Sequence, residues 1–208
     1  MMVLNYNELT LGQDQEIDKI INDTSRDELE QQVGILAVLS GLTEADLLRL
    51  PLEEYTTYAI CAEFLRKPLD QVPAVQKEYQ VGGFTLRPCK DYTKLTAGQY
   101  IDFQAFTRDK LDYCGLLSVL LVPKGKTYAD GYDTAEVRQA IADKLPMPQG
   151  MALIAFFLRQ YANLIRVSLT YSEREIRKMR DPRKQRELQA RIDQARVLLR
   201  TAGAGLKM

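Results

Sequence analysis

Leu95-Thr96-Ala97-Gly98-Gln99, with the helix-like run Tyr100 to Phe106 behind it, has a near twin at Leu9-Thr10-Leu11-Gly12-Gln13, followed by Ile17, Ile20 and Ile21. Each copy leads to a short apolar run, Ile35-Leu36-Ala37-Val38-Leu39 after the first and Leu116-Leu117-Ser118-Val119-Leu120 after the second. Each then reaches a Leu-Pro step, Leu50-Pro51 and Leu145-Pro146, and a Phe-Leu pair, Phe64-Leu65 and Phe157-Leu158. The offsets between matching positions are 86, 81, 95 and 93. Four landmarks in one order at nearly one spacing predict an internal repeat with changes in loop length.

Local signals divide each copy into helices. Thr10 caps a helix through Ile21. Ser25 followed by Glu28 has capping-box spacing and predicts a second helix, Arg26 to Leu39, with Leu29, Val33, Leu36 and Leu39 inward. Gly41 suits its left-handed end, Thr43 starts a short helix to Leu48, and Pro51 opens a fourth, Leu52 to Arg66, with Leu52, Tyr55, Ala59, Ala62 and Leu65 at helical spacing. Pro68 and Pro73 mark a break. Glu78 to Val81, Gly82-Gly83 and Phe84 to Arg87 read as a β-hairpin, because a two-residue turn of this kind needs positive φ. In the second copy, Ala97 to Asp109 is a helix with Ile101 and Ala105 on one face. Leu111 to Leu121 is a buried helix, Pro123 to Gly131 a loop, and Asp133 or Thr134 the cap of a helix through Ile141. Gln149 to about Arg180 is a long helix, and Asp181-Pro182 restarts one to about Leu199.

These elements predict a mainly α-helical protein of two related helical modules joined by a β-hairpin, with a long C-terminal helix. The expected boundaries are 1–67 for the first module, 68–94 for the linker with the hairpin, 95–172 for the second module, and 173–208 for a basic C-terminal helix and tail.

Charge is balanced overall, with 28 Lys plus Arg against 28 Asp plus Glu, which argues against a generally nucleic-acid-binding surface. It is uneven along the chain. Residues 1–67 carry 13 acids and 5 bases, whereas residues 173–200 carry 10 bases and 5 acids. An acidic end and a basic end suit head-to-tail self-association or docking on a charged partner; two solvated helix faces would give the same counts. Leu188, Ile192, Ala195 and Leu199 form one narrow apolar seam of coiled-coil type. Arg174, Arg177, Lys178, Arg183, Lys184, Leu188, Ile192 and Leu199 are therefore the expected partner interface. No aromatic residue follows Tyr171, so base stacking on single-stranded nucleic acid has no support there.

Residue chemistry points away from catalysis. The chain has no histidine, the commonest general base and metal ligand. Gly125-Lys126-Thr127 resembles the end of a phosphate-binding loop, but the glycine required five positions earlier is Leu120. Asp130-Gly131-Tyr132-Asp133 resembles a piece of a calcium loop without its terminal glutamate and reads as a cap and turn. No catalytic, cofactor or metal residue is expected. Cys61, Cys89 and Cys114 are scattered and odd in number, which fits free thiols. No apolar run reaches the length of a membrane span, and no secretory signal opens the chain.

Val33 to Leu65, with Ile35 to Glu44 and Leu50-Pro51-Leu52-Glu53-Glu54, resembles phage tail assembly chaperones. The second copy, with Leu95 to Asp102, Leu121-Val122-Pro123-Lys124-Gly125, Tyr128 to Asp133 and Phe156-Phe157-Leu158, resembles an uncharacterised group common in phages of gut Bacteroidetes, including crAss-like phages. The resemblance spans roughly residues 9–172 and rests on apolar and turn residues. It implies a non-enzymatic tail or virion assembly factor, present in the host cytoplasm during assembly. The partners it implies are phage structural proteins such as the tail tube, tape measure or connector; the charge asymmetry adds self-association, the short apolar runs leave no membrane contact expected, and nucleic acid is the less favoured partner of the basic helix. The alternative is a structural virion subunit: a head–tail ring or neck component, or a capsid cargo protein. The basic extension past Tyr171 leaves room for that second reading.

Overall fold

Thr10 starts the first helix, α1 (Leu11–Ile21), with a complete capping box: its hydroxyl accepts from Gln13 N at 3.2 Å, and Gln13 Oε1 accepts from Thr10 N at 3.0 Å. The computed structural model describes residues 2–69, 71–107 and 112–178, together with Arg183, Gln189 and Asp193. Helix α2 (Glu28–Ser40) follows, then the single turn α3 (Glu44–Leu47) and α4 (Leu52–Cys61), which tightens into a 3₁₀ turn over Ala62–Arg66. The second copy contributes α5 (Ala97–Thr107), α6 (Tyr113–Leu120), α7 (Thr134–Lys144) and α8 (Met147–Lys178). The protein is thus mainly helical, with a small antiparallel sheet and a long C-terminal helix.

The two copies are built with the same hydrogen bonds. Thr96 and Gln99 repeat the box of Thr10 and Gln13, at 3.1 and 3.2 Å. Each glutamine then spends its side-chain amide on the next helix but for the same carbonyl: Gln13 Nε2 donates to Val38 O, and Gln99 Nε2 to Val119 O, both at 3.2 Å. Ile17 and Phe103, one turn further along, are both buried, as are Leu36 and Leu117, and Leu39 and Leu120. Thr43 and Asp133 cap the third helix of each copy, and a Leu-Pro step opens the fourth.

The hairpin forms where the two glycines allow it. Strands β1 (Tyr79–Val81) and β2 (Phe84–Pro88) pair with Val81 opposite Phe84, and Gly82 and Gly83 take φ of 53° and 86°. A third strand, β3 (Leu121–Pro123), joins the other side of β2, with Leu86 opposite Pro123. The second module thereby completes a sheet that the sequence shows only as a hairpin; Leu121 leaves the helix and turns extended. Outside the sheet, Glu78 pairs with Arg87 at 2.6 Å and Lys124 at 3.3 Å.

By its contacts the described chain forms two units. One runs up to Lys90 and from Leu95 to Ile154; the other holds Asp91–Lys94 and the chain from Ala155. Both copies contribute to the first unit. Its centre is α6, buried from Cys114 through Leu120, with Leu9, Leu11, Val137, Ile141 and Leu153 also sealed from solvent. In the second unit, Tyr92 donates its hydroxyl to the Phe157 carbonyl at 3.0 Å and sets its ring edge-on to Phe157 and tilted to Tyr161.

Readings from local spacing are corrected at several positions. Helix α2 is capped by Asp27 and Glu30 rather than Ser25 and Glu28, because Ser25 is engaged with the Asp23 carboxylate. Leu29, expected inward, is 61% exposed, and Leu52, which keeps helical spacing with Tyr55, is 80% exposed. In α5 the buried residues are Gln99 and Phe103, while Ile101 is 66% exposed and Ala105 also faces solvent.

Candidate interaction surface

Leu29, Leu48 and Leu52, all exposed, gather beside the Leu-Pro step of the first copy. Thr43 caps α3 and fixes the turn that follows, so that Leu47 points into the core while Leu48 points out. Pro51 stands at the start of α4 without a side-chain cap. Leu29 and Val33 of α2, Leu47 and Leu48 after α3, and Leu50, Leu52 and Tyr55 around the start of α4 line an apolar groove of about 250 Å³. The Tyr55 hydroxyl lies buried there with no hydrogen-bond partner among the described residues. A buried hydroxyl in that state carries a desolvation cost.

A second, larger cleft of about 960 Å³ lies between α1, α6 and α7. Its lining is mixed, and two of its charged groups, Asp112 and Arg138, are engaged with each other. Arg138 donates to Asp112 Oδ2 at 2.6 Å and lies over the Phe106 ring, while the other Asp112 oxygen caps α6 at Gly115 N. Gln15 Oε1 accepts from Cys114 N at 3.1 Å. Burial, reinforced by Asp112, pushes the Cys114 thiol up to about 12, far from a reactive thiolate. On α1, burial raises the Asp14 carboxyl to about 6 and Asp18 in the same direction. No nucleophile with a positioned base converges on this cleft among the described residues, and no cluster of metal-ligating side chains is present among them.

The interface expected from the sequence lies on the C-terminal helix. Arg174 is exposed on α8, Arg177 and Lys178 form the end of that helix, and Arg183 is helical and exposed. Lys184, Leu188, Ile192 and Leu199 lie outside the described residues, as does the helix restart at Asp181-Pro182. The groove was legible only as a set of apolar residues at helical spacing; nothing in the spacing says that the chain leaves Leu48 and Leu52 uncovered. No described helix is long and apolar enough to cross a membrane. Compared with models of protein families, with curated proteins and with solved structures, the chain matches none.

Proposed function

We propose that this chain is a non-enzymatic assembly factor of tailed bacteriophages, of the tail-assembly-chaperone type, acting through protein contacts in the host cytoplasm. The observation that carries this reading is the open apolar groove at Leu29, Leu48, Leu52 and Tyr55. Apolar side chains left bare together in this way are characteristic of a surface made to be covered. Its partners on this reading are phage structural proteins, the tail tube, tape measure or connector, as the resemblance of Val33–Leu65 to tail chaperones implies.

Co-expression with the tail-tube, tape-measure and connector proteins of the same phage tests the proposal. One of them is expected to co-purify, and Leu48→Asp is expected to release it. Finished particles are expected to lack the chain. Failure to hold any of the three overturns the reading. Presence in particles at fixed copy number replaces it with that of a structural virion subunit.

A further inference from the structure

Inside the first unit, the leading edge of the first copy seats on the Leu-Pro step of the second. Leu11 N donates to Leu145 O at 2.9 Å, Met147 N donates to Leu9 O at 2.8 Å, and Thr10 faces Pro146 as an antiparallel bridge. Leu11 and Met147 each open a helix, so both N–H groups would otherwise be orphaned. The fit is close. A Cβ on Gly12 would fall 2.6 Å from the Ala142 carbonyl oxygen, and one on Gly150 would fall 2.8 Å from Leu11 Cδ1. Leu9, Leu11 and Leu145 are each 0% exposed as a result.

Each half of this contact occurs a second time in the chain, and the second pair does not meet. The other leading edge is Leu95-Thr96-Ala97, and the other step is Leu50-Pro51-Leu52; no backbone hydrogen bond joins them. Their exposure is the reverse of the pair that meets. Ala97 and Gly98 are exposed, Tyr100 and Ile101 stand out beside them, and Leu48 and Leu52 are bare across from nothing. Side-chain size is exchanged across the equivalent positions. Where Leu11 lies over Gly150, the corresponding residues are Ala97 and Tyr55, small against large in place of large against small.

We propose that a second copy of this chain makes the missing contact: the Leu95–Ile101 edge of one copy seats in the Leu48–Leu52 groove of the next. Ala97 N donates to Leu50 O and Leu52 N to Leu95 O, which repeats the internal bridge between molecules and gives the groove an occupant. Each chain then carries one edge and one groove, a heterologous contact that closes into a ring or pair or continues as a filament. The inference rests on the groove being a protein-contact surface, where a second copy and a phage partner exclude one another.

Leu52→Asp and Ile101→Asp test it, since both side chains are exposed and neither supports the core. The wild-type chain is expected to sediment as a dimer or larger species. Each variant alone should sediment as a monomer with unchanged circular dichroism and melting, its self-affinity weakened by about 100-fold or more, as for loss of an interface hot spot. Mixed in equal amounts, the two variants should recover a one-to-one pair, because the first keeps its edge and the second its groove. A wild-type chain that stays monomeric to its solubility limit, or variants that assemble like wild type, overturn the proposal. A monomer whose phage partner is lost on Leu52→Asp would overturn the self-contact while leaving the assembly role standing. An oligomer broken by both variants, from a chain that holds no phage protein, would do the reverse.

Discussion

Gln99 donates its side-chain amide to the Val119 carbonyl at 3.2 Å, and Gln13 donates to Val38 at the same distance. In each copy one side chain closes a helix start and ties it to the following helix. The first copy leaves its glutamine half-buried, whereas Gln99 is 5% exposed. Gln99→Ala leaves the Thr96 N–H and the Val119 carbonyl without their partner where water reaches poorly, and the expected cost is about 2–4 kcal/mol. Gln13→Ala should cost about 1–2 kcal/mol, because its surroundings are wetter. Urea midpoints of the two variants decide it; equal losses would mean that burial does not distinguish the sites.

The hairpin glycines differ in what surrounds them. Gly83 has open space, so Gly83→Ala meets only the strain of positive φ, about 1–2 kcal/mol. Gly82 has the same strain, and a Cβ there would also fall 2.6 Å from Ala140 Cβ on α7. Gly82→Ala should therefore lose about 1–3 kcal/mol more than Gly83→Ala. Thermal melts of both variants would show the difference, and identical melting temperatures would mean that α7 does not press on the turn.

Much of the helical order was legible in the sequence because caps and turns are local. Thr10, Gly41, Thr43 and Asp133 stand where their chemistry predicts, and the Gly82-Gly83 turn does too. The repeat was legible because the Thr-x-x-Gln pair and its apolar target helix recur as a set. Strand β3 was not. Leu121-Val122 continues an apolar helix without interruption, and only pairing with β2, more than thirty residues away, makes it extended. The groove was missed for a related reason. Periodicity shows that Leu52 shares a stripe with Tyr55 and Ala59, but covering that stripe is a tertiary fact. Leu29 shares the stripe of Val33, and only the tertiary arrangement leaves it uncovered.

The three thiols should separate by access. Cys61 and Cys89 are half-buried, while Cys114 is sealed in α6 with its thiol held far above the ordinary range. Native protein at pH 8 is expected to leave Cys114 unmodified by Ellman's reagent, and denaturant should release it. Peptide mapping after alkylation identifies the protected residue; modification of Cys114 in the folded chain at the rate of Cys61 would contradict its burial.

Asp14 makes stability depend on pH. Burial first, and then Asp18 one turn along α1, push its carboxyl from 3.8 to about 6, with Tyr6 and Tyr113 sensing the same charge. The folded state thus disfavours the ionised form. Below pH 3.8 the group is neutral in both states and carries no penalty; the penalty grows as pH rises through about 6 and is complete above it. Its place in the first turn of α1 works the other way, since a helix N-terminus favours negative charge by about 0.3–1 kcal/mol. Asp14→Asn removes both effects. The variant should be more stable than wild type by about 1–2 kcal/mol at pH 8, and the gain should vanish as pH falls below 4. Urea unfolding at the two pH values measures this directly. A gain of the same size at both would show that packing, not ionisation, is responsible, and a loss at pH 8 would show that the helix terminus outweighs burial.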